Sequence, residues 1–529
     1  MASFTSPRWF FALLVSLHLA GCGSAAPSPP LTHDKPPPKT AEAPVSITVL
    51  YTSDEHGWLE SVPRDGGRHG GVAELLGQLV KVEGHCPGPA PFGMSADESF
   101  LAPNSENCTN PKTLLLSGGD NYTGPAISTY FLGEPMADAM GRLGYAASAF
   151  GNHEFDFGRP QFPVNRDKAK LKYLAANVRI EDPKVAAEID LRAYEIFERR
   201  GIRIGVIGLS TVETLKTAIA ERFVGITFES PEAALDRTVS KAWEAGADVV
   251  VAIAHECPDV LVPVIEKHPE WRLAFVGGGH CHKMMHLRAG DVSVLSPDWR
   301  MHQYARITLR VDRSLPAKSR VVSVESAFVE VVASPNVRPD PVLGELVKSA
   351  KEKVDKALGV TIGHSRGGIG PEAVVGQIVA NAWLAELGGD VAIVNKGGIR
   401  QVIPAGPITH ATIWGVLPFD NRMMKLSVTG EDLQKELENP KFIAAGAEKR
   451  ASGKWFIGGK PIDSKKKYTV HITDFMYTGG DGSLFGTYDP RAVGLGIQWR
   501  DPVIAWIEKQ KTRPDAPIED KLPKGVKAL

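Results

Sequence analysis

Five clusters of side chains able to bind metals or move protons punctuate the first 300 residues, each after an apolar run. Asp54-Glu55-His56 follows the run 46–51, and Gly118-Gly119-Asp120 follows 112–117. Phe150-Gly151-Asn152-His153-Glu154-Phe155-Asp156 follows a third, His255 closes 249–254, and Gly277-Gly278-Gly279-His280-Cys281-His282 closes a run ending Phe275-Val276. Carboxylate oxygen, imidazole nitrogen and amide oxygen suit borderline divalent ions such as Zn, Mn, Fe or Co. All-oxygen Mg or Ca sites would not call for so many histidines. Two ions about 3.5–4 Å apart can hold a bridging hydroxide and clamp both oxygens of an in-line displacement at phosphorus. One carboxylate must then bridge them, and Asp120 on its Gly-Gly turn is the natural candidate. Taken singly, each cluster has an ordinary reading, a hydrogen-bonded histidine or a turn aspartate. Five in order, at the ends of apolar runs where α/β folds bind ligands, point instead to a binuclear centre.

The elements that must position these residues are legible as period. Residues 46–51, 112–117, 202–209, 248–254 and 272–276 read as strands, near-continuous and apolar enough to be buried on both faces. Residues 72–82 carry apolar positions at helical spacing, as do 339–358 and 374–387, while 391–394 and 468–473 are further strands. A chain of 529 residues is too long for one ordinary core. The alternation predicts an α/β domain over 45–335, a bridging helix over 336–358, and a smaller α/β domain over 359–529. There is no internal repeat. With 43% hydrophobic and 23% charged residues the composition is that of a globular protein, and 60 basic against 61 acidic side chains nearly cancel. Net charge therefore offers no basis for binding a nucleic acid polymer, and an anionic substrate needs a local device.

Residues 1–22 are of different character: Arg8, an apolar run, then Leu19-Ala20-Gly21-Cys22. This describes an export signal rather than a spanning helix. The last four residues resemble a bacterial lipobox, which implies cleavage before Cys22, acylation of its thiol, and anchoring in the cell envelope, as a periplasmic or outer-membrane lipoprotein. Residues 23–44, rich in Pro, Ser, Ala and Lys, read as a semi-extended tether. Cys86 and Cys108 bracket a Pro/Gly/Ser/Asn-rich insertion; an oxidising compartment favours their pairing, with two free surface thiols as the alternative.

In order, Asp54-x-His56, Gly119-Asp120, Gly151-Asn152-His153-Glu154, His255 and Gly279-His280-x-His282 resemble the signature of calcineurin-like metallophosphoesterases. The longer Gly118-Gly119-Asp120-Asn121 and the stretch 152–158 resemble its 5′-nucleotidase and UDP-sugar hydrolase branch. The resemblance implies a four-layer α/β/β/α catalytic domain joined by a helix to a substrate-binding domain. It implies one ion on Asp54, His56, Asp120 and His282, a second on Asp120, Asn152, His255 and His280, and His153 with Asp156 as catalytic dyad.

In the second half, the stretches 395–400, 416–421 and 478–482 resemble three motifs of the same family in the expected order. They imply a base slot between Phe419 and Phe475, Asp481 on the ribose, Arg400 toward phosphate, and Asn395 and Asn421 as orienting contacts. Three departures concern substrate: Lys396 stands where the family usually has glycine, 363–377 contains only Arg366 where further arginines are usual, and Trp58 stands where some relatives have arginine. The expected activity is hydrolysis of nucleoside 5′-phosphates. 2′,3′-Cyclic-nucleotide phosphodiesterase/3′-nucleotidase or UDP-sugar hydrolase activity is the alternative, and a non-catalytic nucleotide-binding lipoprotein the remote one. Cys257 and Cys281 beside the histidines are expected not to be ligands, since alternate residues of an extended segment point to opposite sides. The oligomeric state and preferred base stay open.

Overall fold

The computed structural model describes residues 43–64, 67–95 and 108–522. The export signal, most of the tether and Cys22 lie outside the described residues. Glu42–Leu529 groups as one compact unit.

In the strand Val45–Thr52, Ile47, Val49 and Tyr51 alternate with Leu50, and all are buried. A strand apolar on both faces needs cover on both, and that requirement generates the layers of the first half. One six-stranded sheet runs Val321–Glu330, Gln303–Val311, Val45–Thr52, Thr113–Ser117, Tyr145–Ala149, Lys172–Leu174, the last four parallel. The other runs Met285–Ala289, Val292–Ser296, Phe275–Gly277, Val249–His255, Ile202–Ser210, Tyr194–Arg199, the middle four parallel. Ile47, Val49 and Leu116 of the first sheet share a core with Val206, Val251 and Ile253 of the second. Leu50 and Leu115 turn outward onto Leu75 of the helix Val72–Gln78 and Met140 of Glu134–Leu143. Val250 and Ala252 turn outward onto Leu235 of Pro231–Glu244 and Leu261 of Pro258–Glu266. The layers are thus α/β/β/α.

The helix Pro341–Leu358 starts on Asp340, whose side chain accepts from Leu343 N and pairs with the buried Arg142 at 2.7 Å. Its face Leu343, Leu346 and Ala350 joins the first-half core, while Val354 and Leu358 pack beside Trp414 of the second half. The second half is a five-stranded sheet ordered Phe442–Ala445, Val391–Asn395, Lys467–Thr473, Arg422–Thr429, Val493–Gln498. The helices Glu372–Leu387 and Asp501–Gln510 cover one face, and Gly430–Leu437 the other.

Two local expectations shift. The strand expected at 272–276 is Phe275–Gly277, because Arg272 takes φ 53° to close the turn Pro269–Trp271 and cannot extend. The helix expected at 72–82 is α-helical to Gln78 and widens into a π turn over Leu79–Glu83 that Gly84 ends at φ 65°. Cys86 and Cys108 form a disulfide with Cα atoms 5.5 Å apart. Among the described residues no helix is long and apolar enough to cross a membrane.

Candidate active site

The parallel strands of both sheets end at the same edge, and their following loops carry the five clusters. Asp54 and His56 come from the loop after Val45–Thr52, Asp120 after Thr113–Ser117, and Asn152, His153 and Asp156 after Tyr145–Ala149. His255 is the last residue of its strand, and His280 and His282 follow Phe275–Gly277. Five of these residues have left-handed backbone: Asp54 (φ 54°), His56 (46°), Asp120 (60°), His280 (69°) and His282 (51°). Such conformations cost non-glycine residues about 1–3 kcal/mol each and gather where function demands them. Gly151 is held to glycine by space, since a Cβ there would lie 2.1 Å from Asp120 Oδ1.

Among the described residues, two groups bring metal-competent atoms within 4.8 Å of one another: Asp54, His56 and His282, and Asp120, His255 and His280. Asp120 Oδ2 lies 3.1 Å from His255 Nε2 and 3.8 Å from His56 Nε2, between the groups. His56 Nε2 and His282 Nε2 are 2.9 Å apart, and Asn152 Oδ1 is 3.0 Å from His255 Nε2. The outward nitrogens are tied back: His56 Nδ1 donates to Thr123 O (3.0 Å) and His255 Nδ1 to Gly118 O (2.9 Å), aiming both Nε2 atoms into the cluster. Asn152 turns its amide nitrogen away toward Thr217 O, leaving its oxygen inward. All seven residues expected as ligands therefore converge, and their donors fit two divalent ions.

Charge agrees. Burial, with the neighbouring charge of Asp120, raises the Asp54 carboxyl to about 6 against the pull of His255. Burial also pushes up Asp120, but His255, His153 and His56 outweigh it and hold that carboxyl well below the ordinary range. His255 is driven down by burial yet held up at about 10 by Asp120, Asp54 and Glu154. Burial depresses His56, His282 and His280, the last to about 3, so these imidazoles stay neutral. Buried carboxylates hold a proton on His255 beside three neutral imidazoles, and a cation bound there would take that proton's place.

His153 Nδ1 lies 2.9 Å from Asp156 Oδ2. Donation to that carboxylate leaves Nε2 as acceptor, and Arg400 Nη2 donates to it at 2.6 Å. The His153 ring stacks on Phe419 with centroids 5.0 Å apart and planes 18° apart. A cavity of about 250 Å³ runs from Asp120 and the dyad to Asn395, Arg400, Phe419, Asn421, Phe475 and Asp481, so every residue expected at the substrate lines one space. Asn395 Nδ2 donates to Asp481 Oδ2 (2.9 Å) and Asn421 Nδ2 to Asp474 Oδ1 (2.9 Å). Lys396 turns away to Pro440 O, and Arg366 is exposed on Asp520 at 3.2 Å, outside the cavity. Cys281 donates to Gly279 O (3.4 Å) and meets Cys257; neither enters the two groups.

One further contributor lay inside a quoted motif without a role of its own, and others had no signal in spacing. Glu154, adjacent to the dyad histidine, accepts the amides of Asp120 (2.9 Å) and Asn121 (3.2 Å) and so shapes the bridging turn. Arg222 lines the cavity and donates to the carbonyls of Phe155 and Asp156. Trp299 stacks on His282, centroids 4.4 Å apart. Each comes from a loop remote in sequence or from a residue type common everywhere.

A four-layer sandwich with this cluster at its strand ends has relatives among known proteins. The relationship narrows further: the family described as 5′-nucleotidase, C-terminal domain matches residues 354–488. The chain is 26% identical over 534 residues to the 5′-nucleotidase of Vibrio vulnificus, covering 89% of this chain and 91% of that one. It is 25% identical to the protein UshA of Escherichia coli, covering 88% and 91%. The crystal structure of a 5′-nucleotidase precursor from Thermus thermophilus shares the fold, with TM-score 0.74 and 21% identity over 89% of this chain and 97% of that one. The chain is thus similar along most of its length to 5′-nucleotidases, which are hydrolases, and its residues 354–488 match their C-terminal domain.

Proposed function

We propose that the protein hydrolyses nucleoside 5′-phosphates to nucleoside and phosphate, with two divalent ions of the Zn, Mn, Co or Fe kind. Asp54, His56, Asp120 and His282 would hold one ion; Asp120, Asn152, His255 and His280 the other. Bound there, the ions supply the water nucleophile and neutralise charge on the phosphoryl oxygens. The chain's own side chains do the rest. His153, kept in one tautomer by Asp156, acts at the phosphoryl or leaving oxygen. Arg400 lies against His153 Nε2 and offers its planar fork to the phosphoryl group. Phe419 and Phe475 take the base, Asp481 the ribose hydroxyls, and Asn395 and Asn421 brace them. The carrying observation is that His153 joins both regions, 4.0 Å from Asp120 Oδ2 and stacked on Phe419.

The domain limits 45–335, 336–358 and 359–529 are part of this reading, as is a hinge near 335–360 that brings substrate to the ions. So are export, acylation of Cys22 and anchoring in the bacterial envelope, which rest on the leader's sequence. A second cavity, about 290 Å³, adjoins the first through Asp156, Arg222, Phe419 and Asp420. Its room for a further group beyond the phosphoryl site favours, as second reading, nucleotide sugars; 2′,3′-cyclic nucleotides, whose second ester bond closes on their own ribose, need no such room.

The test uses protein starting after Cys22, stripped with chelator and reloaded with Mn, Co, Zn or Mg. Phosphate release from AMP and UMP is the expected outcome. Turnover of UDP-glucose or a cyclic nucleotide alone would move the substrate and keep the chemistry. About two bound ions with no turnover of any ester would leave a binding protein.

A further inference from the structure

Arg400 reaches His153 across the seam between the halves, and something must hold its main chain at that distance. Arg366, from the segment where further arginines are usual, faces solvent on Asp520. The contact comes instead from the first half. Arg300 Nη2 donates to the Arg400 main-chain carbonyl at 2.5 Å, while Arg400 N donates to Val416 O within its own half.

Arg300 is itself held by stacking and through its main chain. Its guanidinium carbon lies 3.4 Å from the Trp299 ring centroid and 4.5 Å from that of Trp58, so a planar cation is gripped by two indoles. Trp299 in turn stacks on His282. Arg300 N donates to Asp54 O at 2.9 Å. Arg300 and Met301 are consecutive non-glycine residues at φ 60° and 56°, a strained pair that persists only where the surroundings impose it. Two proposed metal ligands, Asp54 through its carbonyl and His282 through Trp299, thus connect by Arg300 to the arginine at the dyad.

We propose that Arg300 is a positioning residue that clasps the second half onto the metal-competent face and aims Arg400 at the phosphoryl group. This rests on the reading of His153 and Arg400 given above. It assigns Trp58 a use as well: its ring braces the clasp.

The test is a double-mutant cycle on the metal-loaded enzyme with Arg300→Met, Arg400→Met and both, and Arg300→Lys alongside. The substrate is p-nitrophenyl phosphate, which needs the dyad and Arg400 but no base slot; AMP is assayed in parallel. Arg400→Met should lower kcat/KM by about 100-fold and Arg300→Met by about tenfold. The double variant should be no worse than Arg400→Met, because Arg300 acts through it. Arg300→Lys should recover part of the loss, since an ammonium still donates to the carbonyl. Metal content should be unchanged in all four. Multiplying losses, or an Arg300→Met variant as active as wild type, would overturn the clasp. Wild-type turnover of p-nitrophenyl phosphate without turnover of AMP would overturn the nucleotide reading and leave the clasp to be decided by the cycle.

Discussion

At the scale of single residues, Asp120 and His153 sit close together and should fail differently. Asp120 Oδ2 lies between the two groups, so Asp120→Asn removes the charge both ions would share. Turnover and metal content, by elemental analysis, should collapse together. His153 touches the dyad and the base cavity but belongs to neither group. His153→Ala should keep its metal and lose about 10²–10⁴ in kcat, the range of a general acid–base contribution. An alanine variant with full activity would remove the dyad. Phe475 lines the cavity and leans on Gly480, where a Cβ would come 2.4 Å from its ring. Phe475→Ala should raise KM for AMP about tenfold, with p-nitrophenyl phosphate little changed, if its ring holds a base. Equal losses on both substrates would make it a core residue.

At the scale of elements, the loops are held in place by buried polar groups far from the chemistry. His85, at the end of the first helical segment, takes Thr113 Oγ1 on Nδ1 (3.0 Å) and donates Nε2 to Leu143 O (2.8 Å), tying that segment to the strand leading to Asp120. Burial lowers it from 6.5 to about 4. The depressed folded value means the unfolded chain takes up the proton first as pH falls. The contribution is therefore whole above about pH 6.5 and lost progressively toward pH 4, at most about 3 kcal/mol. Denaturant titrations from pH 7.5 to 4 should show His85→Gln losing less stability across that window than wild type. Parallel pH dependence in the two proteins would show that His85 carries none of it.

At the scale of the whole molecule, the metal-competent cluster belongs to the first half, but the cavity beside it exists only where the halves meet. His153 and Phe419, Arg400 and His153, and Arg300 and Arg400 each join residues more than 95 positions apart. The helix Pro341–Leu358, rooted in the first-half core and ending beside Trp414, is placed to carry a hinge. The leader adds a further element: with Cys22 acylated, the enzyme would work at an envelope surface. Cys22→Ser in the full chain should abolish labelled palmitate incorporation and move the protein from the membrane to the soluble fraction. Unchanged fractionation with no label in wild type would make the leader an ordinary signal peptide.

Much of this protein was written in residue type and order. The seven expected ligands were nameable beforehand because each lies at the end of an apolar run, and the dyad and the six cavity residues because their motifs resemble those of the 5′-nucleotidase family. An α/β architecture was legible too, since strands apolar on both faces demand cover on both sides, while the four layers came from the family resemblance. What linear order could not carry were contacts made by ordinary residue types from distant loops. Arg222 on the dyad backbone and Arg300 between two tryptophans look, in sequence, like any surface charge, and Glu154 stood within its motif without the role of holding the Asp120 turn. The start of Phe275–Gly277 and the stop of the widened turn at Leu79–Glu83 depended on single left-handed residues, Arg272 and Gly84, that no periodicity marks. Chemistry was local in sequence because metal ligands need particular atoms at strand ends. Aim was tertiary, because it depends on which loops the packed layers bring within reach.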